Sequence, residues 1–205
     1  MMSAARGLVF GLVGLGWVLG CSTSRDGGDA NKPQKITASG IYTHAATGMR
    51  FPEKTGSFTR LQMFRYDSQE LDVSVGYVQS ADQDTLQATA YLYPEPKFTT
   101  ASAKAGLANK EFQDRKREIL TSHKGSKLLE EGAIDLSIRG KRYQGQKAVM
   151  EFNEPFNGGV KTLRSHLYVF CFVEGNWTVK YRFTHQASAN AQRSIESFMR
   201  SVPLP

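Results

Sequence analysis

The chain has 205 residues, 40% of them hydrophobic, and a formal net charge of +7. That length accommodates one domain with a sizeable core, and the absence of any repeat of fixed period argues against a solenoid or propeller. The cationic excess would suit nucleic acid, but an export signature at the N-terminus makes anionic lipid, lipopolysaccharide or cell-wall polymer the accessible polyanions and leaves nucleic acid out.

The chain opens MMSAARGLVFGLVGLGWVLGC, with one cation at Arg6, an uncharged apolar run from Gly7 to Leu19, and Gly20 beside Cys21. This is the plan of a secretory signal over residues 1–20. Thirteen helical residues reach about 20 Å, short of a hydrocarbon core of about 30 Å, so a permanent spanning helix is not expected. Val18-Leu19-Gly20-Cys21 resembles the bacterial lipobox, although Leu19 is bulkier than the small residue usual at its place. The resemblance implies that the Cys21 thiol takes a diacylglycerol and its freed amine a third acyl chain. Each buried CH₂ contributes ~0.8 kcal/mol, so the anchor would be effectively permanent. Ser22 stands where inner-membrane retention usually needs an aspartate, so the resemblance points to the outer membrane, facing the periplasm. The competing readings are an ordinary signal with a chance cysteine and an N-terminal core helix.

Residues 22–35, STSRDGGDANKPQK, are polar and nearly free of apolar side chains, and read as a flexible tether reaching roughly 20 Å. The expected organisation is a signal over 1–20, a lipidated cysteine and tether over 21–39, and one domain over 40–205. Cys171, the second of two cysteines, sits among large apolar residues in HLYVFCFVEG and reads as a buried small hydrophobe. If Cys21 is not lipidated, a Cys21–Cys171 disulfide becomes possible.

From Ser57, the runs SFTRLQMFRYD, DVSVGYVQ and DTLQATAYLYP alternate as strands of an antiparallel meander do, and Pro94 and Pro96 stop the pattern. Val73, Val75 and Tyr77 share one face, as do Leu86, Ala88, Ala90 and Leu92. The period then changes: Ala101, Ala105, Ala108, Phe112, Ile119 and His123 recur at three- and four-residue steps and predict an amphipathic helix. Thr99, Thr100 and Ser102 offer N-cap oxygens, and Gly125 offers a stop. AIDLSI and KAVMEF form a hairpin across RGKRYQG. Asn157-Gly158-Gly159 leads into VKTLRSHLYVFCFV, read as the longest strand, and Glu174-Gly175-Asn176 turns it back as WTVKYRFTH. There, Trp177, Val179, Tyr181 and Phe183 share one face, and Thr178, Lys180, Arg182 and Thr184 the other. The last run is a helix with Ala191, Ile195, Phe198, Met199 and Val202 on one side, ended by Pro203. About seven strands and two helices, not alternating as βαβ units do, predict an α+β fold with a mostly antiparallel sheet.

GMRFPEKTGSFTRLQMFRYD (48–67), TAYLYPEP (89–96) and WTVKYRFTH (177–185), with a helix after the second and another after the third, resemble a group of uncharacterised bacterial secreted or lipoprotein domains. More loosely, they resemble the Mog1/PsbP-like sandwich shared with DcrB-type periplasmic lipoproteins. The resemblance spans about residues 40–202 and implies a fold but no activity, because one fold hosts many functions.

No motif carries chemistry. The nucleophile-elbow pattern G-x-S-x-G is absent, and His44, His123, His166 and His185 lack the spacing of zinc ligands on a helix, so neither an enzyme, a metal nor a cofactor is expected. His123, on the helix stripe, reads as a polar cap to the core. Residues 97–150 hold 12 basic and 6 acidic side chains. Within ANKEFQDRKREILTSHKGSK, helical spacing of 100° per residue aligns Lys110, Arg117 and Lys124 opposite Phe112 and Ile119, with Lys127 following. These four are the candidate anion-binding residues, for an anionic headgroup or glycan. The i,i+4 pairs Glu111/Arg115 and Lys110/Asp114 equally suit a merely solvated face. Tyr91 and Tyr93, pointing toward Pro94, Pro96 and Phe98, suit either a stacking surface or the underside of a helix.

The expected function is a membrane-anchored envelope lipoprotein acting as a non-enzymatic binding or scaffolding module for an envelope partner. The alternatives are an anionic lipid or glycan binder using the basic 104–147 region, and an unrecognised envelope hydrolase.

Overall fold

The computed structural model describes residues 32–205 apart from 82, 83, 98, 99, 157 and 174. The segment read as an export signal, Cys21, most of the stretch read as a tether, Phe98 and Thr99 lie outside the described residues. The strands are β1 (Gln34–Ile36), β2 (Tyr42–Thr43), β3 (Arg50–Phe51), β4 (Lys54–Thr55), β5 (Phe58–Arg65), β6 (Val73–Ala81), β7 (Asp84–Pro94), β8 (Lys127–Ile138), β9 (Lys141–Phe156), β10 (Gly159–Val173) and β11 (Trp177–Gln186). The helices are α1 (Ala101–Ser122), between β7 and β8, and α2 (Gln192–Ser201), after β11.

The fold is α+β, with an antiparallel sheet of nine strands ordered β1-β5-β6-β7-β11-β10-β9-β8, in which β4 also pairs β5; β2 and β3 form a separate ribbon. The expectation of about seven strands was too low. The seven long strands are present, and β1 to β4 are short pieces of two or three residues that carry no alternation to read. β1 draws residues 34–36 out of the stretch read as tether and pairs them with β5. β9, with sixteen residues, is longer than β10, with fifteen, because the β8–β9 hairpin turns on two residues, not seven. Those two, Arg139 at φ 51° and Gly140 at φ 81°, supply the left-handed pair that a tight hairpin needs.

Alternation divides the core between the two faces. One face packs Val73, Val75, Tyr77, Leu86, Ala88, Ala90, Leu92, Val179, Tyr181 and Phe183 against α2 and the segment carrying Met49 and Phe51. Phe198 of α2 is its centre, with ring centroids of Phe58, Tyr77 and Phe183 at 4.9, 5.1 and 5.4 Å. Polar tips are satisfied at the rim: Tyr181 donates to the Val202 carbonyl at 2.7 Å, Tyr77 to that of Pro52 at 3.0 Å, and Arg60 to those of Phe51 and Ala38 at 2.6 Å. His44, fully buried, bonds Thr47 Oγ1 and the Glu70 carbonyl and meets Trp177 edge-on.

On the opposite face, α1 lays Phe112 and Ile119 on Ala148, Met150, Phe152, Leu163, Leu167 and Val169 of β9 and β10. Thr100 caps the helix by accepting from the Ala103 amide, and Gly125 turns the chain away at φ 74°. Ala101 and Ala105, expected on the packed stripe, are exposed, because alanine steps at that spacing do not themselves create a surface to pack against. β8 is an edge strand, and its acids are held by cations of neighbouring elements: Glu130 by Lys147, Glu131 by Lys116, and Asp135 by Arg142. A charged edge resists strand addition.

Candidate functional site

β11 sends alternate side chains to opposite faces, so Thr178, Lys180 and Arg182 point away from the α2 core, toward the face that α1 covers. Across the sheet they stand beside Tyr93, Tyr91 and Thr89 of β7, in that order. On the other side Lys180 pairs with Val169 and Arg182 with Leu167. Because Phe112 and Ile119 occupy the apolar part of that face, the adjoining helical positions Glu111, Arg115 and Glu118 fall toward the tyrosines. The result is a polar tract between α1 and the sheet.

Its groups form two linked sets. In the first, Tyr93 donates to Glu111 Oε1 at 2.5 Å, Arg115 donates Nε to the same oxygen at 2.7 Å, and Arg115 Nη1 reaches Glu118 Oε2 at 3.0 Å. Burial works against the Glu111 carboxylate, but hydrogen bonds from Arg115 and Tyr93 hold it below its ordinary range. In the second, the His123 ring stacks on Phe152 with centroids 3.8 Å apart. Its Nε2 lies 2.8 Å from Arg182 Nη2, and its Nδ1 bonds Glu154. A guanidinium only donates, so Nε2 accepts and Nδ1 carries the proton toward Glu154. Arg182 also donates Nε to Ser165 Oγ at 3.2 Å. His123 is thus both the end of α1 and a polar cap to the core, as its place on the stripe suggested.

Between the two sets sits Lys180, its ammonium over the Tyr91 ring at 3.7 Å from the centroid. Burial, then the Arg115 charge, bring its pKa down to about 8. Burial pushes the Tyr91 phenol up to about 12 and lowers Arg182 from its usual value. Asp72, in the turn after β5, is raised to about 6 by burial and by Asp67, with Lys180 and Arg115 pulling the other way. Tyr91 and Tyr93 therefore form the underside of a helix. At the edge of the tract Thr178 donates to Glu95 Oε1 at 2.5 Å, and Cys171 is a free thiol whose pKa is pushed to about 12 by burial.

The four cations read as anion-binding do not converge on one point. Lys110 and Arg117, 71% and 69% exposed, both bond Asp114, at 2.5 and 3.2 Å. α1 ends at Ser122, so Lys124 lies in the following turn and not on the helical face, and Lys127 opens β8. Lys180 and Arg182 were assigned a strand face without a role. The signal that marked them was two cations at alternate positions of a strand whose other face carries Trp177, Val179, Tyr181 and Phe183.

Among the described residues no helix is long and apolar enough to cross a membrane, and no three His, Cys, Asp or Glu side chains group as metal ligands. No protein-family model, curated protein or solved structure matches the chain.

Proposed function

We propose that the chain is an exported, lipid-anchored envelope protein whose α+β domain works as a non-enzymatic binding or scaffolding module. The observation that carries the non-enzymatic part is the commitment of three carboxylates under α1. Glu111 and Glu118 are held by Arg115, and Glu154 by His123. None is left as an acid–base couple turned toward a substrate cavity, the arrangement that hydrolysis needs. The anchor rests on the sequence through Cys21, with Ser22 favouring the outer membrane. Kinship with the Mog1/PsbP and DcrB-type sandwich belongs to the same proposal, supported by the antiparallel sheet carrying a helix on each face.

Intact mass of the membrane-extracted protein tests the anchor. A mature N-terminus at Cys21 with added acyl mass, lost in Cys21→Ser, supports it; an unmodified chain two hydrogens light means a Cys21–Cys171 disulfide and ends it. Crosslinking in intact cells tests the module: a defined envelope protein retained by the wild type is the expected result.

A second reading, an anionic lipid or glycan surface over residues 104–147, is favoured by the exposure of Lys110, Arg117, Lys124 and Lys127. Reversing all four charges would then abolish salt-sensitive retention on anionic liposomes. Unchanged retention removes this reading, and the shared hold of Asp114 on Lys110 and Arg117 favours that outcome.

A further inference from the structure

Cations withdrawn from water are ordinarily paired with carboxylates, because an isolated one is costly to desolvate. Lys180 and Arg182 depart from that rule together. Neither has an ion-pair partner among the described residues. Lys180 faces an aromatic ring, and Arg182 donates to a hydroxyl and to an imidazole. Of the nearby acids, Glu111 and Glu118 are held by Arg115 and Glu154 by His123, and Asp72, which feels the Lys180 charge, forms no ion pair with it. The two side chains stand two residues apart on the same face of β11, about 7 Å between their Cα atoms. Both retain some solvent access. Thr89 stands opposite Arg182, and Tyr91 stands opposite Lys180.

We propose that Lys180 and Arg182 form a seat for a small oxyanion, a carboxylate or phosphate-type group, on the flank of α1 that faces β7. The anion would take a hydrogen bond from the Lys180 ammonium and another from the outer edge of the Arg182 guanidinium, with Thr89 and Tyr91 as the wall. It supplies the charge that the protein leaves out. The seat is distinct from the exposed lysines of residues 104–147 and independent of the lipid anchor, so failure of either leaves the other standing.

The test is the reactivity of each lysine amine toward trace acetylation across pH, read by peptide mass in the full chain carrying Cys21→Ser, at constant ionic strength. In chloride, Lys180 titrates below the surface lysines. Inorganic phosphate or acetate is expected to move its midpoint upward by about one unit, which slows its acetylation at pH 8 by up to about tenfold, while surface lysines stay unchanged. Arg182→Gln should suppress the shift; if that variant does not fold, the wild-type titration alone decides. Vesicles of phosphatidylglycerol, against phosphatidylcholine, identify the source: a shift with the former and not with free phosphate assigns the seat to a lipid headgroup. A midpoint identical in chloride, acetate, phosphate and both vesicles overturns the proposal.

Discussion

The Nε2 atoms of His166 on β10 and His185 on β11 lie 3.0 Å apart. His185 bonds the Gln186 carbonyl through Nδ1 at 2.7 Å, so Nδ1 carries its proton and its Nε2 accepts from His166. A second proton on His185 would put two N–H groups nose to nose. Burial, then His185, Arg164 and Lys147, with Glu130 opposing, lower the His166 pKa to about 4.

For His166 the folded pKa lies below the unfolded value, so its contribution is fully present above about pH 6.5 and is lost as pH falls toward 4. The slope is at most about 1.4 kcal/mol per pH unit for one proton. Chemical unfolding of the wild type and His166→Asn between pH 7 and 4.5 should show a shallower loss for the variant. Parallel curves would mean that the pair does not control acid stability.

Asp72 has the opposite sign in the same window. Its carboxyl is raised to about 6, so the folded state prefers the proton, and the ionised group destabilises the domain above that pH. Asp72→Asn should stabilise at pH 7.5 by about 1–2 kcal/mol after allowance for solvent screening, and the gain should vanish below about pH 4. Equal stability of the two proteins at pH 7.5 would show the carboxylate to be well solvated.

Gly145 on β9 has no room for a side chain. A Cβ there would stand 2.6 Å from Phe170 Cδ1 and 2.7 Å from the Val169 carbonyl oxygen. The ring could turn, but the backbone oxygen cannot retreat without opening the β9–β10 ladder. Gly145→Ala should cost about 1–3 kcal/mol in urea unfolding, whereas Gly132→Ala, with nothing within 4 Å, should be close to neutral.

Cys171 should be silent as a nucleophile. With its thiol pushed up to about 12 by burial, the thiolate fraction at pH 8 is negligible. Ellman's reagent should label the native Cys21→Ser protein at least tenfold more slowly than the same protein in guanidinium. Equal rates would place the thiol in open solvent.

Period alone determined much of this molecule. In WTVKYRFTH, alternation by two put Trp177, Val179, Tyr181 and Phe183 on one face, and helical spacing put Ala191, Ile195, Phe198, Met199 and Val202 on one side of α2; the structure buries all of these in the core, Trp177 only in part. An apolar side chain must leave water wherever the chain goes, so these positions were legible without a fold. The short strands β1 to β4 were not legible, because two or three residues hold no period and pair only when a neighbour offers an edge. The burial of β11's polar face was not legible for the same kind of reason. Thr178, Lys180 and Arg182 look like any solvated strand face until α1 returns over the sheet, and only then do two cations become desolvated. Local sequence decides which side chains avoid water, but only the tertiary arrangement decides which polar side chains are denied it.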